Sequence, residues 1–138
     1  MPIKRGEIYL FIGFDAEKFS PKMLSRKERR RLNRYPNLAN SNSFKLSRYL
    51  KFKAKKRGKI CISHKENIAV LAISKEKVGV DVEKLKERNF DGVIKFCFNK
   101  KESEIYANAK DKMQKFYEIY TAKEAVIKAK NLAFSDLA

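Results

Sequence analysis

Val78-Gly79-Val80-Asp81-Val82-Glu83 (VGVDVE) alternates with a period of two. Read as a strand, it places Val78, Val80 and Val82 on one face and Gly79, Asp81 and Glu83 on the other. At roughly 3.3 Å of rise per residue, the Cα atoms of Asp81 and Glu83 stand about 6.5–7 Å apart, near enough for both carboxylates to converge on one hard cation. A D-x-E pair is equally what an ordinary solvated strand face shows. The stretch acquires meaning only from its surroundings.

Downstream, residues 111–130 form the best-patterned helix, with Met113, Phe116, Tyr117, Tyr120 and Ile127 on one stripe. Glu124 falls on that stripe. A carboxylate there is costly to bury unless it is paired or metal-bound. Lys123 is adjacent and Lys128 lies one turn on, so an i,i+4 ion pair at the stripe's edge is the plain structural alternative. Between the two motifs, Phe90, Val93, Ile94 and Cys97 have helical spacing, and Asn99 can cap a helix in "NKKESEIYANA".

Upstream, "KICIS-HKEN-IAVLAIS" reads as two strands around a tight polar turn. Ser63-His64 closes the first of them and contains the chain's one histidine. Such a dipeptide is either a simple strand end or a hydroxyl and imidazole placed to donate to a phosphate. Residues 7–14 suggest a first strand. Ser25 and Glu28 have capping-box spacing before a basic helix at 26–35 that Pro36 ends. A second basic helix, 44–56, turns Leu46, Tyr49 and Leu50 inward. The class expected from this pattern is α+β.

The 138 residues suffice for one domain, or two small lobes sharing a core. Hydrophobic residues make up 43%, with 10 Phe and 6 Tyr, which excludes a disordered chain. No apolar run is long enough to span a membrane, and "EIYLFIGF" is too short for a signal peptide. Cys61 and Cys97 have no metal-ligand spacing and read as buried free thiols of a reducing cytoplasm. The net charge is +17 and uneven: residues 1–64 carry 18 Lys/Arg against 4 Asp/Glu, net +14, and residues 65–138 carry 15 against 12, net +3. Such a field favours a polyanionic partner: nucleic acid, a phosphorylated cofactor or an acidic protein.

"ISH" (62–64), "VGVDVE" (78–83), "FCFNKKE" (96–102) and "FYEIYTAKEAVIKAKNL" (116–132), in that order, resemble the 4′-phosphopantetheinyl transferase superfamily. The form is similar to the surfactin-synthetase-activating type, because the ISH segment and a basic N-terminal half precede the acidic stretch. The family usually has Trp-Ser or Trp-Thr where this chain has Tyr120-Thr121. It also continues into further strands, whereas this chain ends ten residues after Lys128.

The resemblance implies an α+β fold of two pseudo-related α/β lobes, a basic one at 1–76 and a metal-binding one at 77–138, with the active site between them. It implies transfer of the 4′-phosphopantetheine arm of coenzyme A to a serine of an acidic acyl or peptidyl carrier protein, with Mg²⁺, releasing 3′,5′-ADP. By the same resemblance Asp81, Glu83 and Glu124 hold the metal, and Glu124, Lys128 and Glu102 serve the reaction. Ser63, His64, Lys123 and Lys128 contact the phosphates of coenzyme A. Self-association is a further expectation, since a second subunit could complete the shortened lobe. Two other readings stand beside this one: a family member that binds carrier protein or coenzyme A without catalysis, and a basic nucleic-acid-binding protein, which has no RNA-binding signature to support it.

Overall fold

The computed structural model describes residues 2–55 and 57–137, with Ser135 described by its backbone alone; the expected helix limit at Lys56 lies outside them. Strands β1 (Ile8–Gly13), β2 (Lys59–Lys65) and β3 (Ile68–Ser74) form an antiparallel sheet in the order β1-β3-β2. Glu66 and Asn67 make the two-residue turn between β2 and β3, with Glu66 in the left-handed region at φ 52°. Every residue of β3 from Ala69 to Ser74 is buried, because the central strand is covered on both faces. That accounts for its unbroken apolar run.

Five α-helices accompany the sheet among the described residues: α1 (Arg26–Arg34), α2 (Asn42–Ala54), α3 (Phe90–Cys97), α4 (Lys100–Ala107) and α5 (Lys112–Lys130). The class is α+β, as expected. Helix α2 buries Leu46, Leu50 and Ala54 against Ala69, Leu71 and Ile73 of β3, with Ile3 closing the cluster. A second cluster surrounds the fully buried Phe116 of α5 and gathers Phe98, Tyr117, Phe90, Tyr106 and Tyr120. Phe98 and Tyr120 each stack on the Phe116 ring, with centroids 5.5 Å away.

Helix α1 has almost no apolar face and is held by one carboxylate. Ser25 and Glu28 form the predicted capping box: the Ser25 hydroxyl accepts from the Glu28 amide at 3.3 Å, and the Ser25 amide donates to Glu28 Oε2 at 2.8 Å. The buried Glu28 then takes Lys51 Nζ at 2.7 Å and Arg48 Nη1 at 3.1 Å from α2. Burial alone would raise its pKa. The Lys51 and Ser25 hydrogen bonds, with the charges of Lys51 and Arg48, outweigh that and hold it at about 2, below the ordinary 4.5.

Residues 78–83 depart from expectation. They form no strand; they run as an extended segment between β2 and α5. Their backbone groups are met by side chains instead of a ladder. The Val82 amide donates to Ser63 Oγ at 3.2 Å, and the Val80 carbonyl accepts Lys128 Nζ at 3.2 Å. The acidic face is also not turned to water. Gly79 lies flat on α5, where an added Cβ would collide with the Ala125 carbonyl and sit 2.9 Å from the Ala129 amide. The cysteines are free, as expected, but half-buried rather than buried.

Two outcomes follow for stability. Gly79→Ala must push α5 away from the extended segment, costing about 1–3 kcal/mol by the general penalty for overpacking, which urea denaturation monitored by circular dichroism measures. Glu28 has a lowered folded-state pKa, so its contribution is full above its unfolded value and is lost as pH falls from about 4.5 toward about 2. Glu28→Gln is therefore expected to lower stability at neutral pH and to flatten that acid limb in urea midpoints taken across pH.

Candidate functional site

Asp81 sits in the crevice between β2 and α5, with its side chain only 6% exposed. Its Oδ1 accepts two hydrogen bonds, from Ser63 Oγ at 3.1 Å and from Lys128 Nζ at 3.0 Å. Its Oδ2 is buried without a partner. A buried carboxylate oxygen left unpaired is costly, because the desolvation of a charged acceptor is not repaid. The local sequence explains the placement. Gly79 and Asp81 share the parity of the extended segment, so the glycine that admits the backbone of α5 also delivers the carboxylate to Lys128. Ser63 comes from the face of β2 that meets the same segment, along with Cys61, whose Sγ lies 4.0 Å from the Val80 carbonyl.

Glu83 and Glu124 flank a different group, the Tyr120 hydroxyl. Burial first, then the charge and hydrogen bonding of Glu124, then the charge of Glu83, push the Tyr120 pKa up to about 12. Tyr120 thus remains a neutral donor at any ordinary pH. Arg88 lies over the same ring at 5.6 Å and over Phe116 at 5.8 Å, supplying a cation to this acidic corner. Glu83 also pairs with Lys65 at 3.4 Å. The ion pairs of the described residues leave Glu124 out. Lys128, one turn beyond Glu124, reaches across to Asp81 instead.

Glu102 and Lys123 form a separate unit. Glu102 closes the capping box of α4 with Asn99, accepting from the Asn99 amide at 3.0 Å. Lys123, buried on α5, donates to Glu102 Oε2 at 2.7 Å and to the Leu137 carbonyl at 3.3 Å. Both expected site residues are thereby engaged with each other, pinning α4 and the short helical segment at Phe134–Leu137 to α5.

Ser63 and His64 are neighbours in sequence but point to opposite faces of β2. The buried Ser63 joins Asp81, whereas the exposed His64 lines a cleft of about 410 Å³ with Arg31, Ser41, Ser43, Ser47 and Arg48. The arginines and serines of this cleft were not among the residues expected from sequence. Their signal was present in "NSFKLSRYL", where Ser43 and Ser47 stand one helical turn apart just before Arg48.

The three acids expected to hold a metal do not form one cluster: among the described residues, no three His, Cys, Asp or Glu stand close enough to cage an ion. The physical reason is charge. Asp81 and Glu83 each have a lysine partner, and unpaired carboxylates repel one another. The donor chemistry nevertheless fits Mg²⁺, which takes one or two carboxylates and completes its shell with water and substrate phosphates. The unpartnered Oδ2 of Asp81 is the oxygen available for it.

Because Ser63 Oγ both accepts from Val82 and donates to Asp81, Ser63→Ala strands an amide and removes a donor from a buried carboxylate. The expected cost is about 1–3 kcal/mol by the usual penalty for unsatisfied buried groups, measured as a lowered urea midpoint, with Ser63→Thr largely restoring it.

No helix among the described residues is long and apolar enough to cross a membrane. No curated protein matches the chain. A family model does match, over residues 77–138, the stretch that holds Asp81, Glu83, Glu102, Glu124 and Lys128. That family is the 4′-phosphopantetheinyl transferase superfamily, and three of the four motifs read from the sequence, at 78–83, 96–102 and 116–132, fall inside the matched residues.

Proposed function

We propose that this chain transfers the 4′-phosphopantetheine arm of coenzyme A to a serine of an acidic carrier protein, in the manner of the larger, surfactin-synthetase-activating members of the superfamily. The observation that carries the reading is Asp81: a carboxylate buried between Ser63 and Lys128 with one oxygen unpartnered, inside the matched segment. The two hydrophobic clusters support a reading as two lobes, residues 1–76 and 77–138, with the Asp81 crevice between them.

Asp81 would hold Mg²⁺ through Oδ2, with water and the substrate's phosphates completing the shell and Glu83 and Glu124 contributing through that water. The bound ion supplies neutralisation of the diphosphate, which is what phosphoryl-type transfer chiefly needs. Lys128, now on Asp81 and the Val80 carbonyl, is the cation that can turn to the phosphate oxygens as negative charge builds there. Glu124 is in none of the ion pairs of the described residues and takes the proton of the attacking serine, with Tyr120 as its neutral neighbour. The serine oxygen bonds to the phosphorus that bears the pantetheine arm, and the bond from that phosphorus to the bridging oxygen breaks, leaving 3′,5′-ADP. Glu102 and Lys123 act here by holding α4 and α5 together.

The cleft of Arg31, Ser41, Ser43, Ser47, Arg48 and His64 offers hydroxyl, guanidinium and imidazole donors to another phosphate of coenzyme A. The net +14 of residues 1–64 attracts an acidic carrier protein, an on-rate effect that salt weakens.

Incubating an apo carrier protein with coenzyme A, Mg²⁺ and this chain tests the reading by intact-mass spectrometry. The carrier is expected to gain the phosphopantetheine mass. The gain is expected to be lost with EDTA and in Asp81→Ala and Glu124→Ala, and to slow in Lys128→Ala. A folded chain that binds coenzyme A but gives no gain would mark a binding member without catalysis and end the proposal. Salt-sensitive RNA binding without affinity for coenzyme A would do the same.

A further inference from the structure

Asp81 and Lys128 form an unequal pair. The carboxylate lies at the floor of its crevice with 6% of its side chain exposed, whereas 31% of the lysine side chain meets solvent. A lysine carries its charge on a flexible four-carbon stem, so Lys128 is the partner free to leave. Neither oxygen it now bonds is left bare by its departure. Ser63 Oγ still donates to Asp81 Oδ1 at 3.1 Å, and Cys61 Sγ still faces the Val80 carbonyl at 4.0 Å. What departure uncovers is the buried negative charge, which another cation must offset. The neighbouring cations are already committed: Lys65 pairs with Glu83 at 3.4 Å, and Arg88 lies over the rings of Phe116 and Tyr120.

We propose that Lys128 guards Asp81: its ammonium and a divalent cation exclude one another there, and the arriving cation moves Lys128 off the carboxylate. The inference rests on the metal reading of Asp81 and adds how that site is regulated. The ammonium on Oδ1 already balances the single charge of Asp81. A second cation at the unpartnered Oδ2 is repelled across the width of one carboxyl group, in a crevice where burial weakens screening. The displaced ammonium has a local partner. Glu124 stands one turn earlier on α5, in the favourable Glu-to-Lys order, and is in none of the ion pairs of the described residues. A phosphate brought in with the cation competes for the same ammonium and frees Glu124 again. Loading of the cation thus turns Lys128 from a partner of Asp81 into a phosphate ligand. By linkage, a ligand that takes Lys128 tightens the cation in return.

Mn²⁺, titrated alone into the full chain and followed by electron paramagnetic resonance, tests this. Lys128→Met keeps the stem and removes the charge. It is expected to bind the ion about tenfold more tightly than the unsubstituted chain, the effect of one neighbouring unit charge on a divalent ion under near-aqueous screening. Asp81→Asn is expected to abolish binding in either background. A second measurement needs no variant, and it decides the matter if Lys128→Met fails to fold. Acetylation of the unsubstituted chain, read by peptide mass spectrometry, should modify Lys128 severalfold faster once the ion is added, with the exposed Lys130 unchanged. Equal or weaker binding by a folded Lys128→Met, or labelling of Lys128 indifferent to the ion, would overturn the guard. The transferase reading would then stand, because binding still depends on Asp81. No binding that depends on Asp81 in any of these chains would overturn the guard and the metal reading together.

Discussion

The approach of Gly79 to the backbone of α5 is the contact on which the candidate site depends. Only a residue without Cβ fits against Ala125 and Ala129, and the fit brings the extended segment close enough for Asp81 to meet Lys128. From the other side, Ser63 of β2 holds the same carboxylate and the Val82 amide. The crevice is thus shared by the hairpin, the extended segment and the last helix. None of these elements alone would bury Asp81, and burial is what gives its unpaired oxygen chemical weight.

Charge is distributed by the same logic of pairing. Buried carboxylates each have a named partner that offsets desolvation: Glu28 has Lys51 and Arg48, and the partly buried Glu102 has Lys123. Glu28 attaches a helix that is otherwise nearly all basic, which explains how α1 docks without an apolar stripe. Glu124 differs. Its neighbour is a tyrosine hydroxyl whose proton is held up to about pH 12, so it keeps a carboxylate available rather than consuming it in an ion pair. Within one helix, Lys123 is structural and Lys128 reaches the crevice, a division that follows from the face each occupies.

Much of the architecture was legible in the residues. The capping box at Ser25 and Glu28, the Asn99 cap and the aromatic stripe of α5 all stand where local chemistry placed them, and the polar turn expected over HKEN narrows to Glu66-Asn67 because β2 runs on to Lys65. Those are short-range effects, carried by side chains within a few residues of each other. The strand expected at 78–83 was misread because alternation reports a pleated, extended backbone and not whether a neighbouring strand exists to pair with it. The i,i+4 spacing of Glu124 and Lys128 suggested a local ion pair, but Asp81, remote in sequence and 3.0 Å away in space, takes the lysine.

The amino-acid sequence by itself determined the class of the fold, the places of its five helices and of the three strands that pair, the net charge of each half, and the motifs that resemble the superfamily. Tertiary structure decided what those residues face. It turned the acidic side of VGVDVE onto α5, separated the adjacent Ser63 and His64 into two different clefts, and left one uncharged apolar strand edge at the surface. The reason is physical: periodicity fixes a residue's side of its own element, whereas burial and pairing depend on which other element arrives there.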